Sequence, residues 1–330
     1  MRAAILRVPG PVGGRPLEIG EVAKPVCGPG EVLLSVRACG VCRTDLHITE
    51  GELPPHRSPV VLGHQIVGDG VDGATALLPL GARAGVSWIA GTDGSCTYCR
   101  RGMENLCDAP SFTGYDVDGG YAQFAVTRAD FTYPLPERLD DEQVAPLLCA
   151  GIIGFRALRV AGVEHGERVG LYGFGSSASL MIDVLHAWNC DVYVATRGAS
   201  HQKLARSRGA LWVGDATEKP PVRLDRAVTF APSGEVVIAA LSALRKGGVV
   251  AINAIHLDGM PAFDYDSLLW GERQIRSVAN MTRKDATDFL KLAEEIDLRP
   301  KVTRFALADV NEALLAVKND AIDGAAVIIP

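Results

Sequence analysis

Beginning at Arg168, stretches with the pattern of buried strands alternate with stretches of helical pattern, and this alternation limits the possible folds more than any other feature. The apolar stretch Arg168–Tyr172 precedes the helical stretch Ser179–Trp188, and a last apolar stretch covers Ile275–Asn280. Between them, the predicted strands are Asp191–Thr196, Leu211–Val213, Arg226–Phe230 and Gly248–Ile255, and the predicted helices are His201–Arg208 and Glu235–Leu244. Strands that alternate with helices predict a parallel, doubly wound α/β sheet.

A glycine motif lies between the first of these strands and the first helix. From Gly173 to Ala178 it reads Gly-Phe-Gly-Ser-Ser-Ala, which is the pattern G-x-G-x-x-A. The pattern alone is weak evidence, but here it has the strand before it and the helix after it that a dinucleotide site requires. The glycines permit a tight turn and a close approach of a pyrophosphate to the helix N-terminus. The predicted cofactor contacts are Gly173, Gly175, Ser176 and Ser177.

The end of the second strand of this series bears on the choice between NAD and NADP. It reads Val-Ala-Thr196-Arg197 and lacks the acidic residue that binds the ribose 2′-hydroxyl of NAD. Thr196 and Arg197 can instead accommodate a 2′-phosphate, which favours NADP(H). The alternative is that Arg197 is only a solvated loop residue and that the protein uses NAD or both cofactors.

The rest of the chain has a different pattern. Short strand-like stretches separated by Gly and Pro cover Met1 to Ala38, and the tail from Arg283 again mixes helix and strand. A chain of 330 residues favours two domains. We therefore expect a discontinuous, mostly-β catalytic domain of residues 1–150 and 281–330, with the nucleotide-binding domain 151–280 inserted into it.

Composition excludes several classes of partner. The formal net charge is −6 and no basic stripe is present, so we expect no nucleic-acid partner. The most apolar region, Val236 to Ile255, is interrupted by Arg245 and Lys246, so we expect no membrane span. The N-terminus lacks the hydrophobic core of a signal peptide, which predicts a cytoplasmic location.

The residues Cys39 to His47 combine two thiols, a guanidinium, a hydroxyl, a carboxylate and an imidazole. A cysteine beside a histidine is a candidate metal ligand, but Cys39 and Cys42 can equally be a redox pair or two buried thiols. His64 lies within an apolar run and, taken by itself, resembles a hydrogen-bonded core histidine.

A second cysteine cluster has the spacing C-x2-C-x7-C at Cys96, Cys99 and Cys107, with Asp93 three residues before the first thiol. Closely spaced thiolates on a loop are the usual ligands of a structural zinc, and a carboxylate can serve as the fourth ligand. The alternative is an ordinary loop with free thiols.

Taken together, these motifs resemble the zinc-dependent alcohol dehydrogenases of the medium-chain dehydrogenase/reductase (MDR) superfamily, and they are nearest to the bacterial zinc-binding members with Gly-His-Gln. The resemblance rests on Ala38–His47, Gly63–Gly68, the Cys96/Cys99/Cys107 lobe, Phe112–Tyr121, Ala145–Gly151 and Gly173–Gly175. It implies a GroES-like catalytic domain joined to a Rossmann NAD(P)-binding domain. It also implies a small-molecule substrate and a homodimer or homotetramer, formed across an edge strand such as Gly248–Ile255.

The resemblance also implies a metal site. Cys42, His64 and Cys149 would be the three protein ligands of a catalytic zinc, with one position left for water or substrate. Cys39 would then be a neighbour of the site. Asp45 would orient the histidine through its other ring nitrogen.

The roles implied for the remaining residues are those of hydride transfer with a proton relay. Thr44 would take the proton of the substrate hydroxyl and pass it through the nicotinamide ribose toward His47. Arg43 would contact the cofactor pyrophosphate, and Trp88 would form a pocket wall that favours small or apolar substrates. Gln65 stands where the family usually has glutamate, which makes the zinc surroundings more positive.

The leading hypothesis is therefore a zinc- and NAD(P)-dependent alcohol dehydrogenase or carbonyl reductase. The first alternative is an MDR enoyl reductase, which the retained set of Cys42, His64 and Cys149 weighs against. A catalytically idle NADPH-binding protein is the other alternative, although Thr44 and His47 are both present.

Overall fold

A computed structural model describes residues 1–322 and 324–330. The chain forms two compact units, one of Met1–Ile152 with Asn280–Pro330 and one of Ile153–Ala279. The strands are β1 (Arg2–Leu6), β2 (Leu17–Glu21), β3 (Glu31–Gly40), β4 (Val60–Val61), β5 (Gln65–Asp72), β6 (Arg83–Val86), β7 (Ile89–Gly91), β8 (Ser111–Phe112), β9 (Phe124–Arg128), β10 (Thr132–Pro134), β11 (Arg168–Tyr172), β12 (Asp191–Ala195), β13 (Trp212–Gly214), β14 (Leu224–Thr229), β15 (Leu244–Ile252), β16 (Gln274–Ser277), β17 (Val302–Ala306) and β18 (Ala325–Ile329).

The α-helices lie between these strands, and several of them follow the predicted pattern closely. They are α1 (Arg43–Glu50), α2 (Asp141–Val144), α3 (Ala150–Ala161), α4 (Ser176–Ala187), α5 (Ala199–Ser207), α6 (Gly234–Ala243), α7 (Tyr265–Leu268), α8 (Arg283–Glu295) and α9 (Val310–Lys318). Sequence pattern alone did not identify α1, α2, α3 and α7.

The unit Ile153–Ala279 is a parallel sheet with the strand order β13-β12-β11-β14-β15-β16. The central strands are apolar on both faces; Val169, Leu171, Val192 and Val194 are all fully buried. Burial on both faces is expected for a parallel sheet covered by helices. The predicted doubly wound sheet is confirmed, but β15 was wrongly placed at its edge, because β16 pairs with β15 and is itself the edge strand.

The other unit is mostly β, as predicted. Its larger sheet has the order β10-β6-β5-β3-β18-β17, with β9 also paired to β3. Strand β18, near the C-terminus, pairs with the end of β3, where Ile328 lies opposite Cys39. The tail of the chain thus completes the sheet from which the Cys39–His47 stretch emerges.

Within residues 1–322 and 324–330, no single helix is both long and apolar enough to cross a bilayer. Two segments bent by 44° relative to each other, Asp141–Leu148 and Ala150–Ala161, meet the length and composition test only as a pair.

Candidate active site

The stretch that holds the densest chemistry forms the junction between β3 and α1. Strand β3 ends at Gly40, and Cys42 is the N-cap residue of α1. The Cys42 N–H donates to Asp45 Oδ2 at 2.9 Å, so the carboxylate satisfies a backbone donor at the start of the helix. This local bond determines where the Cys42 thiol and the Asp45 carboxylate lie.

His64 comes to the same place from the neighbouring strand, because it directly precedes β5 and Gln65 lies opposite Gly40 at the end of β3. Its Nδ1 atom is 3.1 Å from Asp45 Oδ1, and each of the two side chains is 1% exposed. Its other ring nitrogen, Nε2, is buried and has no hydrogen-bond partner among the described residues. A buried nitrogen without a partner is costly, and this is the situation expected of a metal-ligating nitrogen.

The third residue of the cluster, Cys149, directly follows the 3-10 helix Ala145–Leu148. Its Sγ is 3.9 Å from Cys42 Sγ, and the ligand atoms of Cys42, His64 and Cys149 all lie within 4.8 Å of one another. Two thiolates on one tetrahedral zinc stand about 3.8 Å apart, since each Zn–S bond is ~2.3 Å. The donor set and its spacing therefore fit a zinc ion with a fourth position open.

The ionisation of these three groups is coupled by their proximity. Burial lowers the pKa of His64, but the charge of Asp45 and its hydrogen bond raise it more, to about 10. The Cys149 thiol, as a hydrogen-bond partner, lowers the pKa of Cys42 well below its ordinary value, although burial opposes this. The close approach of the three groups therefore shifts the pKa values of His64 and Cys42 in opposite directions.

The two predicted relay residues lie one turn apart on α1, where positions i and i+3 share a face. Thr44 is 7% exposed, and its Oγ1 is 3.7 Å from Cys42 Sγ. His47 is half-buried and its Nδ1 is 2.5 Å from Glu52 Oε2. Sequence reasoning missed Glu52, although its position one residue beyond the helix C-cap gave a local signal.

Arg43, predicted to bind the cofactor pyrophosphate, points its guanidinium to a different anion in this structure. Its Nη2 is 2.6 Å from Asp320 Oδ1, and both side chains are more than half exposed. Asp320 could not be found from sequence, because 277 positions separate the two residues.

Trp88, which was predicted to form a pocket wall, lies beside the buried His64. Its ring meets that of His64 edge to face, with centroids 5.1 Å apart, and it stacks on Phe112 at 4.9 Å. Tyr115 extends the aromatic surface at 6.0 Å from Trp88. These contacts fix an apolar wall next to the cluster.

Gln65 and Cys39 are buried near the cluster of Cys42, His64 and Cys149, but neither contributes a donor atom to it. Gln65 is 2% exposed and packs on Gly40, where a Cβ atom would lie 2.5 Å from its Oε1. Cys39 is fully buried, yet its thiol is not among the clustered donors Cys42, His64 and Cys149. The two cysteines of the stretch therefore have separate surroundings.

The second cysteine lobe also gathers its predicted ligands. The donor atoms of Asp93, Cys96, Cys99 and Cys107 all lie within 4.8 Å of one another. Asp93 Oδ1 accepts from the N–H groups of Ser95 and Cys96 at 2.7 and 2.8 Å, which lowers the pKa of the carboxyl and leaves Oδ2 for a further interaction.

Backbone N–H groups also point at the sulfur atoms of this lobe. Cys107 Sγ accepts from Asp93 and Ala109, and Cys96 Sγ accepts from Cys99, each at 3.4 Å. The bond from the Cys99 N–H lowers the pKa of the Cys96 thiol, which favours the thiolate form that binds metal.

In the parallel-sheet unit, the glycine motif connects β11 to α4. Gly173 has φ of 88°, a conformation that favours glycine, and Gly175 is the N-cap residue of α4. A Cβ atom at Gly175 would meet no heavy atom within 4 Å among the described residues, so the backbone is open to a ligand. Ser176 and Ser177 form the first turn of α4, where free N–H groups attract an anion.

Thr196 and Arg197 follow β12 in the same unit. Thr196 is 3% exposed, and its carbonyl accepts from Gln202 Nε2 at 3.1 Å. Arg197 is exposed and forms no ion pair with any residue in 1–322 or 324–330.

Comparison with known proteins identifies relatives over the whole chain. Residues 28–137 match the alcohol dehydrogenase GroES-like domain. A probable alcohol dehydrogenase, AdhA, of Mycobacterium tuberculosis is 44% identical, with 100% of this chain and 97% of that protein covered. An alcohol dehydrogenase of Geobacillus stearothermophilus is 33% identical over 95% of this chain and 96% of that protein.

Solved structures agree in fold. The crystal structure of AibC has a TM-score of 0.91 at 26% identity and covers 100% of this chain and 96% of that chain. The alcohol dehydrogenase of the archaeon Aeropyrum pernix has a TM-score of 0.84 at 26% identity, with 100% of both chains covered.

A GroES-like β unit together with a Rossmann-like parallel sheet is the architecture of the medium-chain dehydrogenases and reductases. Within that class, the chain belongs to the zinc-dependent alcohol dehydrogenase family. It is accordingly an oxidoreductase that acts on CH–OH groups, and the family and fold class predicted from the motifs are confirmed.

Proposed function

We propose that the protein interconverts small or apolar alcohols with their aldehydes or ketones, using NAD(P)(H) and a zinc ion held by Cys42, His64 and Cys149. The observation that carries this proposal is the buried, unpartnered Nε2 of His64 within 4.8 Å of two thiols. A zinc ion bound there would act as a Lewis acid toward the substrate oxygen. Asp45 holds the His64 ring so that Nε2 is the free donor atom.

The proton chemistry is assigned to α1. Thr44, whose Oγ1 lies 3.7 Å from Cys42 Sγ, takes the proton of the substrate hydroxyl as it gives up its own, and the half-buried His47 accepts a proton and exchanges it with solvent. Glu52 accepts a hydrogen bond from the Nδ1–H group of His47, which leaves Nε2 of His47 as the nitrogen that accepts a proton. Trp88 and its stacked partner Phe112 select apolar substrates by excluding water from one side of the cluster.

The cofactor is assigned to the parallel-sheet domain, which we propose to be residues 151–280, and the catalytic domain to residues 1–150 and 281–330. Bound NAD(P)(H) supplies or accepts the hydride. Gly173, Gly175, Ser176 and Ser177 hold the pyrophosphate through the N-terminus of α4. The exposed, unpaired Arg197 supports a preference for NADP(H) through its 2′-phosphate.

The lobe of Asp93, Cys96, Cys99 and Cys107 is proposed to bind a second, structural zinc ion. Its closed set of four ligands leaves no position for a substrate, which distinguishes it from the three-ligand cluster. The enoyl reductase alternative has no supporting observation, since the alcohol-dehydrogenase ligand set is complete.

A homodimer or homotetramer is proposed from the edge of the parallel sheet. The outer edge of β16 is unpaired within the described residues, and Tyr265 and Trp270 before it are 54% and 64% exposed. An open strand edge beside exposed aromatic side chains is suited to pairing with a second copy. A cytoplasmic location stays a prediction.

Metal analysis combined with a substrate panel tests the proposed function. The wild type should hold two zinc ions per chain and should oxidise primary alcohols or reduce aldehydes and ketones. His64→Ala should lose one zinc ion and all activity, whereas Cys107→Ser should lose the other ion. Activity confined to enoyl thioesters, or full activity in His64→Ala, would refute the proposal.

A further inference from the structure

Tyr121 packs against Gly63, the residue before His64, and its hydroxyl is buried. Its side chain is 0% exposed, and the hydroxyl has no hydrogen-bond partner in residues 1–322 and 324–330. A buried hydroxyl is rarely left without a partner, because it loses its bonds to water without gaining others. The hydroxyl therefore requires an acceptor close to it.

The position of the Tyr121 ring is fixed by the segment that carries His64. The backbone N–H of Tyr121 donates to Leu62 O at 2.9 Å, and the Gly120 N–H donates to Gly63 O at 2.7 Å. The ring lies directly on Gly63, where a Cβ atom would be only 2.5 Å from Tyr121 Cδ1. Any residue other than glycine at position 63 would displace the ring.

The Tyr121 ring packs on Gly63, and the Gly63 N–H donates to Asp45, so the carboxylate of Asp45 is the acceptor on this side of the ring. Oδ1 of Asp45 accepts from Gly63 N at 3.3 Å and from His64 Nδ1 at 3.1 Å, and Oδ2 accepts from Cys42 N at 2.9 Å. An ionised carboxylate offers about four acceptor positions, so one position on Oδ2 is unused. Burial raises the pKa of the Tyr121 hydroxyl well above its ordinary value and the charge of Asp45 raises it further, so the group is a proton donor at neutral pH.

We infer that Tyr121 is a positioning residue of the metal site, whose hydroxyl donates to the unused position of Asp45 and so holds the carboxylate against His64. The inference rests on the proposed zinc site. Tyr121 then slows the release of the metal, because it holds Asp45 and Asp45 in turn holds the ligand His64. Residues that orient metal-ligating histidines in this way commonly change metal affinity about 10–100-fold when they are lost.

The experiment compares metal release from three metal-loaded full-length proteins: wild type, Tyr121→Phe and Tyr172→Phe. Tyr172 is the matched control, because it is a 1% exposed tyrosine with an unpartnered hydroxyl in the sheet strand β11 of the other unit. A chromogenic zinc chelator records release, and His64→Ala identifies the phase that belongs to this site. Tyr121→Phe should release that zinc about 10-fold faster, while Tyr172→Phe should match wild type.

A double-mutant cycle separates positioning from a general effect on stability. In the Asp45→Asn background, Tyr121→Phe should add little further acceleration, since the two residues act through one chain. Wild-type release rates in Tyr121→Phe, or fully multiplicative effects in the double variant, would overturn the inference. A wild type with no His64-dependent phase would instead refute the proposed zinc site, and the inference with it.

Discussion

The Nδ1 atom of His64 lies 3.1 Å from Oδ1 of Asp45, and both side chains are 1% exposed. The pairing settles which nitrogen of the ring remains available, because Nδ1 is occupied and Nε2 is left free. It also places an ionised carboxylate in a buried position, where three donors compensate the cost of removing it from water.

Replacing the carboxylate should weaken the metal site without removing a ligand. Asp45→Asn keeps the size of the side chain but loses its charge, so we expect about 10–100-fold lower zinc affinity at the three-ligand cluster. Competition titration with a chelator of known affinity measures this loss. Asp69→Asn, on β5 but paired with Arg37, is the control and should leave affinity unchanged.

The role of Asp93 as the fourth ligand of the cysteine lobe can be tested by replacing its carboxylate with a thiolate. Asp93→Cys completes a four-thiolate set, which zinc binds more strongly than a mixed set, so release to a chelator should become slower. Asp93→Ala removes the ligand and should cost the lobe its zinc. Equal zinc retention in Asp93→Ala and wild type would show that the carboxylate is not a ligand.

Gln65 stands beside the metal cluster as a neutral amide. Gln65→Glu introduces a negative charge near the site, and added negative charge raises the pKa of neighbouring acids. We therefore expect the acidic limb of the pH–rate profile to shift to higher pH. Steady-state rates from pH 5 to 10 check this. Superimposable profiles for the two proteins would mean that residue 65 does not tune the site.

The cofactor preference should depend on the unpaired Arg197. Arg197→Ala should lower kcat/KM for NADP(H) by about 10–100-fold, the equivalent of a charged hydrogen bond, and change that for NAD(H) by less than about twofold. Arg206→Ala, an exposed arginine on α5, is the matched control. Equal losses with both cofactors would place Arg197 outside the 2′-phosphate site.

Asp225 should make the stability of the parallel sheet pH-dependent. It accepts from the backbone and side chain of Arg168 and from Arg245, which connects the starts of β11, β14 and β15. Burial raises the pKa of Asp225, but these hydrogen bonds lower it more, so its pKa in the folded state lies below its ordinary value. The stabilisation is therefore complete above about pH 4, the unfolded pKa, and is lost as pH falls through the folded pKa.

The corresponding variant is Asp225→Asn. At pH 7 it should lower the free energy of unfolding by about 1–3 kcal/mol, and the difference from wild type should shrink at pH 3. Urea denaturation followed by circular dichroism at both pH values measures it. Asp191→Asn, at the exposed start of β12, should show no such pH dependence.

Local motifs were the most predictable part of this protein. The strand, glycine turn and helix around Gly173 lie within a few residues of one another, and the helix α9 and strand β18 begin and end where the pattern predicts. The thiols from Cys96 to Cys107 form a cluster for the same reason, because a short loop holds them together. In each case sequence neighbours are also spatial neighbours, so residue spacing carries the geometry.

The residues that complete a motif from elsewhere in the chain could not be predicted in this way, because they depend on contacts between distant segments. Cys42 and Cys149 are 107 positions apart, and only the sheet that joins β3 to β5 and the 3-10 helix before Cys149 brings their thiols to 3.9 Å. The wrong assignment of β15 as an edge strand has the same origin, since strand order is a property of the sheet and not of any one strand.

The amino-acid sequence by itself determined the chemistry available to this protein: the two thiols, the hydroxyl and the imidazole of Cys39–His47, the lobe of Asp93, Cys96, Cys99 and Cys107, and the glycine turn at Gly173. Only the tertiary structure decided that Nδ1 of His64 pairs with Asp45, that Arg43 faces Asp320, and that the Tyr121 ring packs on Gly63, whose N–H donates to the same carboxylate. The physical reason is that each of these relationships depends on burial and on distances between segments, which arise only when the sheets assemble.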